Sequence, residues 1–267
     1  MTYYAIPDIH GNFEGLKEAV ELIMNEFVPK SDTLIFLGDY IDRGEQSLEV
    51  VQYLKKLQEE MPEGAVVCLL GNHEEMFLNW LKYPLTGYDF IANDYKLRTV
   101  KSFTGDYFAL SDLGLSSAYE IIDRNTGEDK TYPIAKYINE SHSELIQWMQ
   151  QLPRYFDRTK EDNVLFIHAG IEENILGGDW KQYTTKQQMV WKYPISYGTN
   201  PYHFSVVAGH VMTDELWQFT DEPCYDIYVT GNHYYLDGAS PRNERLNILK
   251  IKDSVYSDFR TGVVLSD

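Results

Sequence analysis

The chain has little cysteine, little positive charge and no long apolar run, and each shortage removes a class of function. Only Cys68 and Cys224 occur among 267 residues. Two are too few for a disulfide framework, so a reducing, cytoplasmic setting is expected. Cys68 lies inside the apolar run Ala65–Leu70 and reads as a small buried hydrophobe. No stretch of about 18 apolar residues exists, which argues against a membrane-spanning helix. The first six residues, Met1 to Ile6, carry no basic segment and lead straight into a polar motif, so no signal peptide is expected. Lysine and arginine total 23 against 41 aspartates and glutamates, a net charge of −18. Nucleic acid and anionic membranes need a basic footprint, so neither is expected as a partner. Acidity of this kind serves solubility. Arginine is absent altogether from Thr159 to Pro241.

What is present reads as one α/β domain over residues 1–267, with an insert at about 82–140. Thr2–Ile6, Thr33–Leu37 and Ala65–Leu70 are continuous apolar runs. Between the first two, Phe13, Leu16, Val20, Ile23 and Phe27 recur at helical spacing. Ser47 is expected to cap a helix with the apolar stripe Leu48, Val51, Leu54 and Leu57. Glu74–Leu81 reads as another helix. Apolar runs joined by helices imply a parallel sheet covered on both faces, and ligands collect beyond the carboxyl ends of such strands. Residues Lys82 to Glu140 are rich in Tyr, Asp, Gly and Ser with weak periodicity, and read as a partly helical insert. A helix at Ser143–Gln150 and a strand at Val164–Ile167 follow, then a loop-rich stretch from Ala169 to Phe204. Strand patterns return at Ser205–Ala208, Ile227–Thr230, Tyr234–Leu236, Leu246–Ile251 and Ser254–Phe259.

The polar residues fall at the ends of these runs. The first ends in Asp8-Ile9-His10-Gly11-Asn12, the second in Gly38-Asp39-Tyr40-Ile41-Asp42-Arg43-Gly44 and the third in Gly71-Asn72-His73-Glu74. Later runs end in His168-Ala169-Gly170 and Gly209-His210. Five strand ends thus deliver carboxylates, imidazoles or a carboxamide to one edge. That donor set suits Zn, Mn or Fe. Two divalent ions about 3.5–4 Å apart form the usual clamp for in-line phosphoryl displacement, and one carboxylate must bridge them. Asp39 is the expected bridge. Asp8 and Asp39 bring two negative charges against four positive ones, so the site stays cationic within an acidic protein and can attract phosphate. The sequence holds its own control. Gly231-Asn232-His233 repeats the third motif, but between two strand-like runs, where it reads as a hairpin turn.

In this order, the motifs D-I-H-G-N, G-D-Y-I-D-R-G, G-N-H-E, H-A-G and G-H resemble the calcineurin-like metallophosphoesterases. The closer resemblance is to their phosphoprotein phosphatase branch, which includes serine/threonine phosphatases and symmetrical diadenosine tetraphosphatases. The resemblance implies a central β-sandwich of mixed sheets flanked by helices, with a di-metal site at the strand C-terminal ends. It implies that Asp8, His10 and Asp39 hold one metal and that Asp39, Asn72, His168 and His210 hold the other, manganese first, with iron or zinc as alternatives. It implies that His73, assisted by Asp42, protonates the leaving oxygen, that Arg43 grips phosphate, and that a metal-activated hydroxide attacks phosphorus. The expected activity is hydrolysis of phosphate monoesters, on phosphoproteins or small phosphorylated molecules; the alternative is symmetrical cleavage of dinucleoside polyphosphates.

Two departures bear on substrate preference. Pro7 stands where such sequences usually carry glycine. The Trp-x-Arg motif that supplies a second phosphate-binding arginine is matched only by Val190-Trp191-Lys192-Tyr193. Lys192 could supply a point charge there, but not a bidentate fork. The insert tyrosines Tyr83, Tyr88, Tyr95 and Tyr107 could stack a base or merely pack.

Overall fold

The computed structural model describes residues 1–84, 90, 94, 97–105, 132–173, 178–217, 223–243 and 245–266. Most of the insert, with Tyr88, Tyr95 and Tyr107, lies outside the described residues. Within them, ten strands form two five-stranded mixed sheets. The first sheet has the order β10-β9-β1-β2-β3, from β1 (Thr2–Ile6), β2 (Thr33–Phe36), β3 (Val66–Cys68), β9 (Leu249–Lys252) and β10 (Val255–Asp258). The second has the order β4-β5-β6-β8-β7, from β4 (Tyr155–Arg158), β5 (Val164–Ile167), β6 (Ser205–Ala208), β7 (Tyr228–Thr230) and β8 (His233–Tyr235). In the first sheet only β9 runs against the other four strands; in the second β5, β6 and β8 run parallel and the edge strands β4 and β7 run against them.

The apolar runs are continuous because their strands are buried on both faces. Successive side chains point to opposite faces. Tyr3, Ala5, Ile35 and Leu37 of the first sheet therefore meet Val164, Phe166 and Val207 of the second in one core between the sheets. Tyr4, Ile6, Leu34 and Phe36 face the other way, into a core shared with α1 (Phe13–Met24), α2 (Ser47–Glu60), α3 (Asn72–Lys82), α4 (Arg98–Thr104), α5 (Tyr132–Ser141) and α6 (Ser143–Gln150). The outer face of the second sheet, with Leu165, Ile167 and Val206, is covered by Trp180 of α7 (Trp180–Tyr183) and Met189 of α8 (Lys186–Trp191). Two further short helices are α9 (Thr213–Leu216) and α10 (Ser240–Asn243). No helix among the described residues is long and apolar enough to cross a membrane.

Several details differ from the reading of the sequence. The β-sandwich of mixed sheets that the resemblance implies is the fold observed, whereas the single parallel sheet read from the apolar runs is not: the strand ends are shared between the two sheets. β4 was hidden because Tyr-Phe-Asp-Arg lacks apolar alternation and all four residues are half-buried. Ser47 is not a cap: Gln46 takes that position without a side-chain bond, and the Ser47 hydroxyl instead accepts from the Asp42 amide at 3.2 Å. The stretch 169–204 contains α7 and α8, and α8 is started by a capping box between Thr185 and Gln188.

The inter-sheet core is where loss of volume costs most, because both walls are rigid sheets. Ile35→Ala, at a fully buried position of β2, is expected to lower stability by about 2–5 kcal/mol. Urea unfolding of the variant beside the wild type checks this, and a loss below about 1 kcal/mol would contradict the packing described.

Candidate metal centre

Six strands present their carboxyl ends at one edge of the sandwich. β1 leads to Asp8 and His10, β2 to Asp39, β3 to Asn72, β5 to His168, β6 to His210 and β8 to Asp237. Asp8, His10, Asp39, Asp42, Asn72, His73 and His168 are all buried. The turns that carry them are unusual. His10, Asp39, Asp42, Arg43 and His210 all adopt positive φ, between 50° and 70°. Such left-handed backbone at non-glycine residues costs roughly 1–3 kcal/mol each and persists only when surroundings over-determine it.

The over-determination is visible. The Glu74 carboxylate, fully buried on α3, accepts from the amides of Asp39 (2.9 Å), Tyr40 (2.8 Å), Ile41 (3.3 Å) and Gly71 (3.1 Å). Burial and the nearby Asp39 charge push its pKa up to about 7. At Gly38, with φ of +107°, an added Cβ would lie 2.6 Å from the Gly71 nitrogen. β2 and β3 can therefore approach only through glycine. At Gly209 a Cβ would lie 2.0 Å from Asp8 Oδ2.

Asp39 is the shared residue of two ligand groups, His10 with Asp39 and His73, and Asp39 with His168 and His210. Its Oδ2 lies 3.8 Å from both His10 Nε2 and His73 Nε2, and its Oδ1 lies 3.4 Å from His168 Nε2. Asn72 Oδ1 sits 2.8 Å from His168 Nε2 and 2.9 Å from His210 Nδ1. Asp8 joins from the side, accepting the His210 amide at 3.0 and 3.1 Å.

Tautomers show what this arrangement lacks. His10 donates from Nδ1 to the Ile41 carbonyl at 2.8 Å, which leaves a lone pair on Nε2, a buried atom with no partner. His168 donates from Nδ1 to the Leu37 carbonyl at 2.9 Å, so its Nε2 lone pair faces the oxygens of Asn72 and Asp39. Lone pairs facing lone pairs in a buried site require a cation. Burial disfavours charge on His168, but the Asp39 carboxylate outweighs it and the pKa is pushed up to about 9. Burial, with the cations of Arg43 and His73, drives His10 well below its ordinary value. Burial and His168 hold His210 down at about 3. Both are neutral imidazoles, the form that binds metal. Burial opposes ionisation of Asp39, yet His168 and His73 hold its carboxyl well below the usual range. The donor set of imidazole, carboxylate and carboxamide fits divalent transition metals.

Beside this centre lies a cavity of about 270 Å³, lined by Asp39, Arg43, Asn72, His73, Met76, Trp191 and His210. His73 donates from Nδ1 to Asp42 Oδ2 at 2.6 Å. Burial disfavours its charge, but Asp39 and Asp42 together push its pKa up to about 9. Asp42 is held in turn by the Thr99 hydroxyl at 2.5 Å, and Asp94 accepts from the amides of Thr99 and Val100.

Lys192 does not line this cavity. Its ammonium turns away, donating to the Ile171 carbonyl at 2.5 Å and to the Ser196 hydroxyl, with Glu173 at 3.9 Å. A side chain so engaged is not positioned as a second phosphate ligand, which corrects the expectation from the motif. His233 begins β8 in the β7–β8 hairpin, bonded to the Gly198 carbonyl and Glu173 and outside both ligand groups.

Three supporting residues escaped the sequence reading. Thr99 lies in the aperiodic insert and carries no signal. Asp237 had one, since Leu236-Asp237-Gly238 is another apolar run ending in Asp-Gly. It is fully buried, one of its carboxylate oxygens has no partner, and burial pushes its pKa up to about 6. Glu74 stood inside a quoted motif without a role.

The family model for calcineurin-like phosphoesterases matches residues 1–214. A symmetrical bis(5'-nucleosyl)-tetraphosphatase of Citrobacter koseri is 28% identical over 171 residues, 64% of this chain and 44% of that protein. The same-named protein of Pseudomonas syringae is 40% identical over 74 residues, 28% of this chain and 23% of that one. The chain thus spans less than half the length of these curated relatives. Among solved structures, one provisionally assigned as a diadenosine tetraphosphatase superposes with a TM-score of 0.53 at 18% identity, covering 100% of this chain and 92% of that one. A cold-active protein tyrosine phosphatase superposes with a TM-score of 0.52 at 14% identity, over 99% and 78%. Both share the fold.

Loading the site should replace the His168 proton and relieve the facing lone pairs. Adding Mn²⁺ to metal-stripped protein is expected to raise Tm and release protons, with affinity rising about tenfold per pH unit for each proton displaced. Calorimetry in buffers of different ionisation enthalpy measures the release. Binding without proton release would contradict the assignment of His168.

Proposed function

The chain belongs to the calcineurin-like phosphoesterase family, and on that premise we propose that it is a metal-dependent hydrolase acting on dinucleoside polyphosphates. The observation that carries the chemistry is the convergence of buried lone pairs from His10, His168, Asn72 and Asp39. The named activity of the curated relatives supports the substrate. In this reading Asp8, His10 and Asp39 hold one metal, and Asp39, Asn72, His168 and His210 the other. Divalent ions there supply Lewis acidity and make water nucleophilic at neutral pH.

The chain's own residues do the rest. Arg43, on the cavity wall, offers a planar fork to the phosphoryl oxygens. His73 keeps Nδ1–H on Asp42, which leaves Nε2–H directed at the cavity as the proton for the departing oxygen. Asp42 fixes that tautomer and Thr99 fixes Asp42. Lys192 shapes the neighbouring wall instead of binding phosphate.

The second reading, hydrolysis of phosphate monoesters such as phosphoserine, is favoured by the same His73–Asp42 pair. A serine alkoxide cannot leave without a proton, whereas a nucleotide phosphate can leave with less help. Hydrolysis of diadenosine tetraphosphate, a phosphoserine peptide and p-nitrophenyl phosphate, side by side, separates the two. The tetraphosphate is expected to give the highest kcat/KM. A preference of about tenfold or more for the peptide, some 1.4 kcal/mol, would transfer the assignment.

The role of His73 has its own test. His73→Asn is expected to reduce kcat on the phosphoserine peptide by roughly 10²–10⁴-fold, the usual range for general acid catalysis. The loss on p-nitrophenyl phosphate, whose leaving group is stable as an anion, should be much smaller. Equal losses on both, with metal content unchanged, would mean that His73 does not donate the proton.

A further inference from the structure

A second cavity has no part in the chemistry above. It measures about 640 Å³ and adjoins the metal cavity through Trp191, which lines both. Its size falls within the roughly 300–1,000 Å³ typical of small-molecule sites. The Trp191 ring centroid lies 6.2 Å from that of His210, so the second cavity begins one indole ring from a proposed metal ligand. Its wall carries three aromatic rings that the fold leaves accessible: Trp191 at 37% exposure, Tyr193 at 71% and Tyr197 at 58%. Rings this exposed contribute little to folding stability and are available to a ligand.

The charges on this wall select the ligand. Glu172 and Glu173 line it; Glu173 Oε1 bonds His233 at 2.9 Å and Glu172 Oε2 accepts from Gln188 at 2.8 Å, so each oxygen keeps a second lone pair with which to accept from a ligand. Lys192, the one cation among the lining residues, is held by Ile171 and Ser196 and faces Glu173. Such a wall repels phosphate, which therefore stays with Arg43 and the metal centre. It suits a planar heterocycle that stacks on aromatic rings and donates exocyclic N–H to carboxylates.

We propose that this cavity binds the purine base of a nucleotide whose phosphate occupies the metal cavity, with Trp191 at the junction and Tyr193 and Tyr197 as stacking surfaces. The inference rests on the nucleotide reading above and gives that reading a place for the base. Tyr193 and Tyr197 lie outside the ligand groups and outside the metal cavity, so removing them should spare the chemistry.

The test compares AMP with ribose 5-phosphate as inhibitors of p-nitrophenyl phosphate hydrolysis by the metal-loaded enzyme. The two differ only in the base. In the wild type AMP is expected to bind about tenfold tighter or better, and Tyr193→Ala with Tyr197→Ala should erase most of that advantage while leaving kcat on p-nitrophenyl phosphate unchanged. Equal inhibition by the two compounds in the wild type would overturn the proposal. So would an AMP advantage that survives both substitutions, or a lysine-rich phosphopeptide that shows the tyrosine-dependent advantage in place of AMP. Failure of the dinucleotide reading is registered separately, as absence of diadenosine tetraphosphate hydrolysis by enzyme that still cleaves p-nitrophenyl phosphate.

Discussion

The Glu74 carboxylate holds the backbone on which the site is built. Its oxygens accept four main-chain amides, three of them from the consecutive residues Asp39, Tyr40 and Ile41. Hydrogen bonds to a charged group contribute about 1.5–3 kcal/mol each. That scale matches the cost of placing Asp39, Asp42 and Arg43 in left-handed conformations, roughly 1–3 kcal/mol each. The turn delivers three functions within five residues: Asp39 to the cluster, Asp42 to His73 and Arg43 to the cavity. Glu74 belongs to the same helix as Asn72 and His73, so one helix both restrains the β2 turn and carries the proposed ligand and the proposed proton donor. The first amides of that helix add to the arrangement, since the His73 amide donates to Asp39 Oδ1 at 3.0 Å.

Electrostatics then separates the imidazoles into two kinds. His10 and His210 are held neutral by burial and by neighbouring cations. His73 and His168 face carboxylates and are pushed up to about 9. The sign matters. A raised pKa means the proton is held at neutral pH and lost only as pH climbs toward 9. For His168 a metal bound at Nε2 would have to displace that proton. For His73 the Nδ1 side is committed to Asp42, and the proton on Nε2 is the one available to chemistry.

Much of this was legible in the sequence because strand ends are marked twice, by an apolar run stopping and by a polar residue following. Asp8, Asp39, Asn72, His168 and His210 stand out that way, and the structure brings them together at one edge of the sandwich. The repeated Gly231-Asn232-His233 was set aside by context, and it forms the turn and first residue of a hairpin. What escaped depends on tertiary contact. Thr99 matters only because its helix lies over Asp42, and nothing in its surroundings along the chain marks that. β4 is an edge strand whose residues are all half-buried, so it carries no period. The sharing of the strand ends between two sheets is a matter of pairing, which periodicity does not encode. Lys192 follows Trp191 directly, whereas a Trp-x-Arg motif places its basic residue two positions on; the chain leaves α8 there and turns the ammonium toward Ile171 and Ser196. The capping box of Thr185 and Gln188 starts α8 within a stretch whose weak apolar periodicity reads as loop.

The central proposal is that Asp39 would be shared between two cations. Titration calorimetry with Mn²⁺ on metal-stripped wild type and on Asp39→Asn tests it most directly, because the carboxamide keeps the shape and removes the charge. The account predicts two ions per chain in the wild type and at most one in the variant, with the folded state intact by circular dichroism. Two ions bound with unchanged affinity in Asp39→Asn, or a single ion in the wild type, would contradict it.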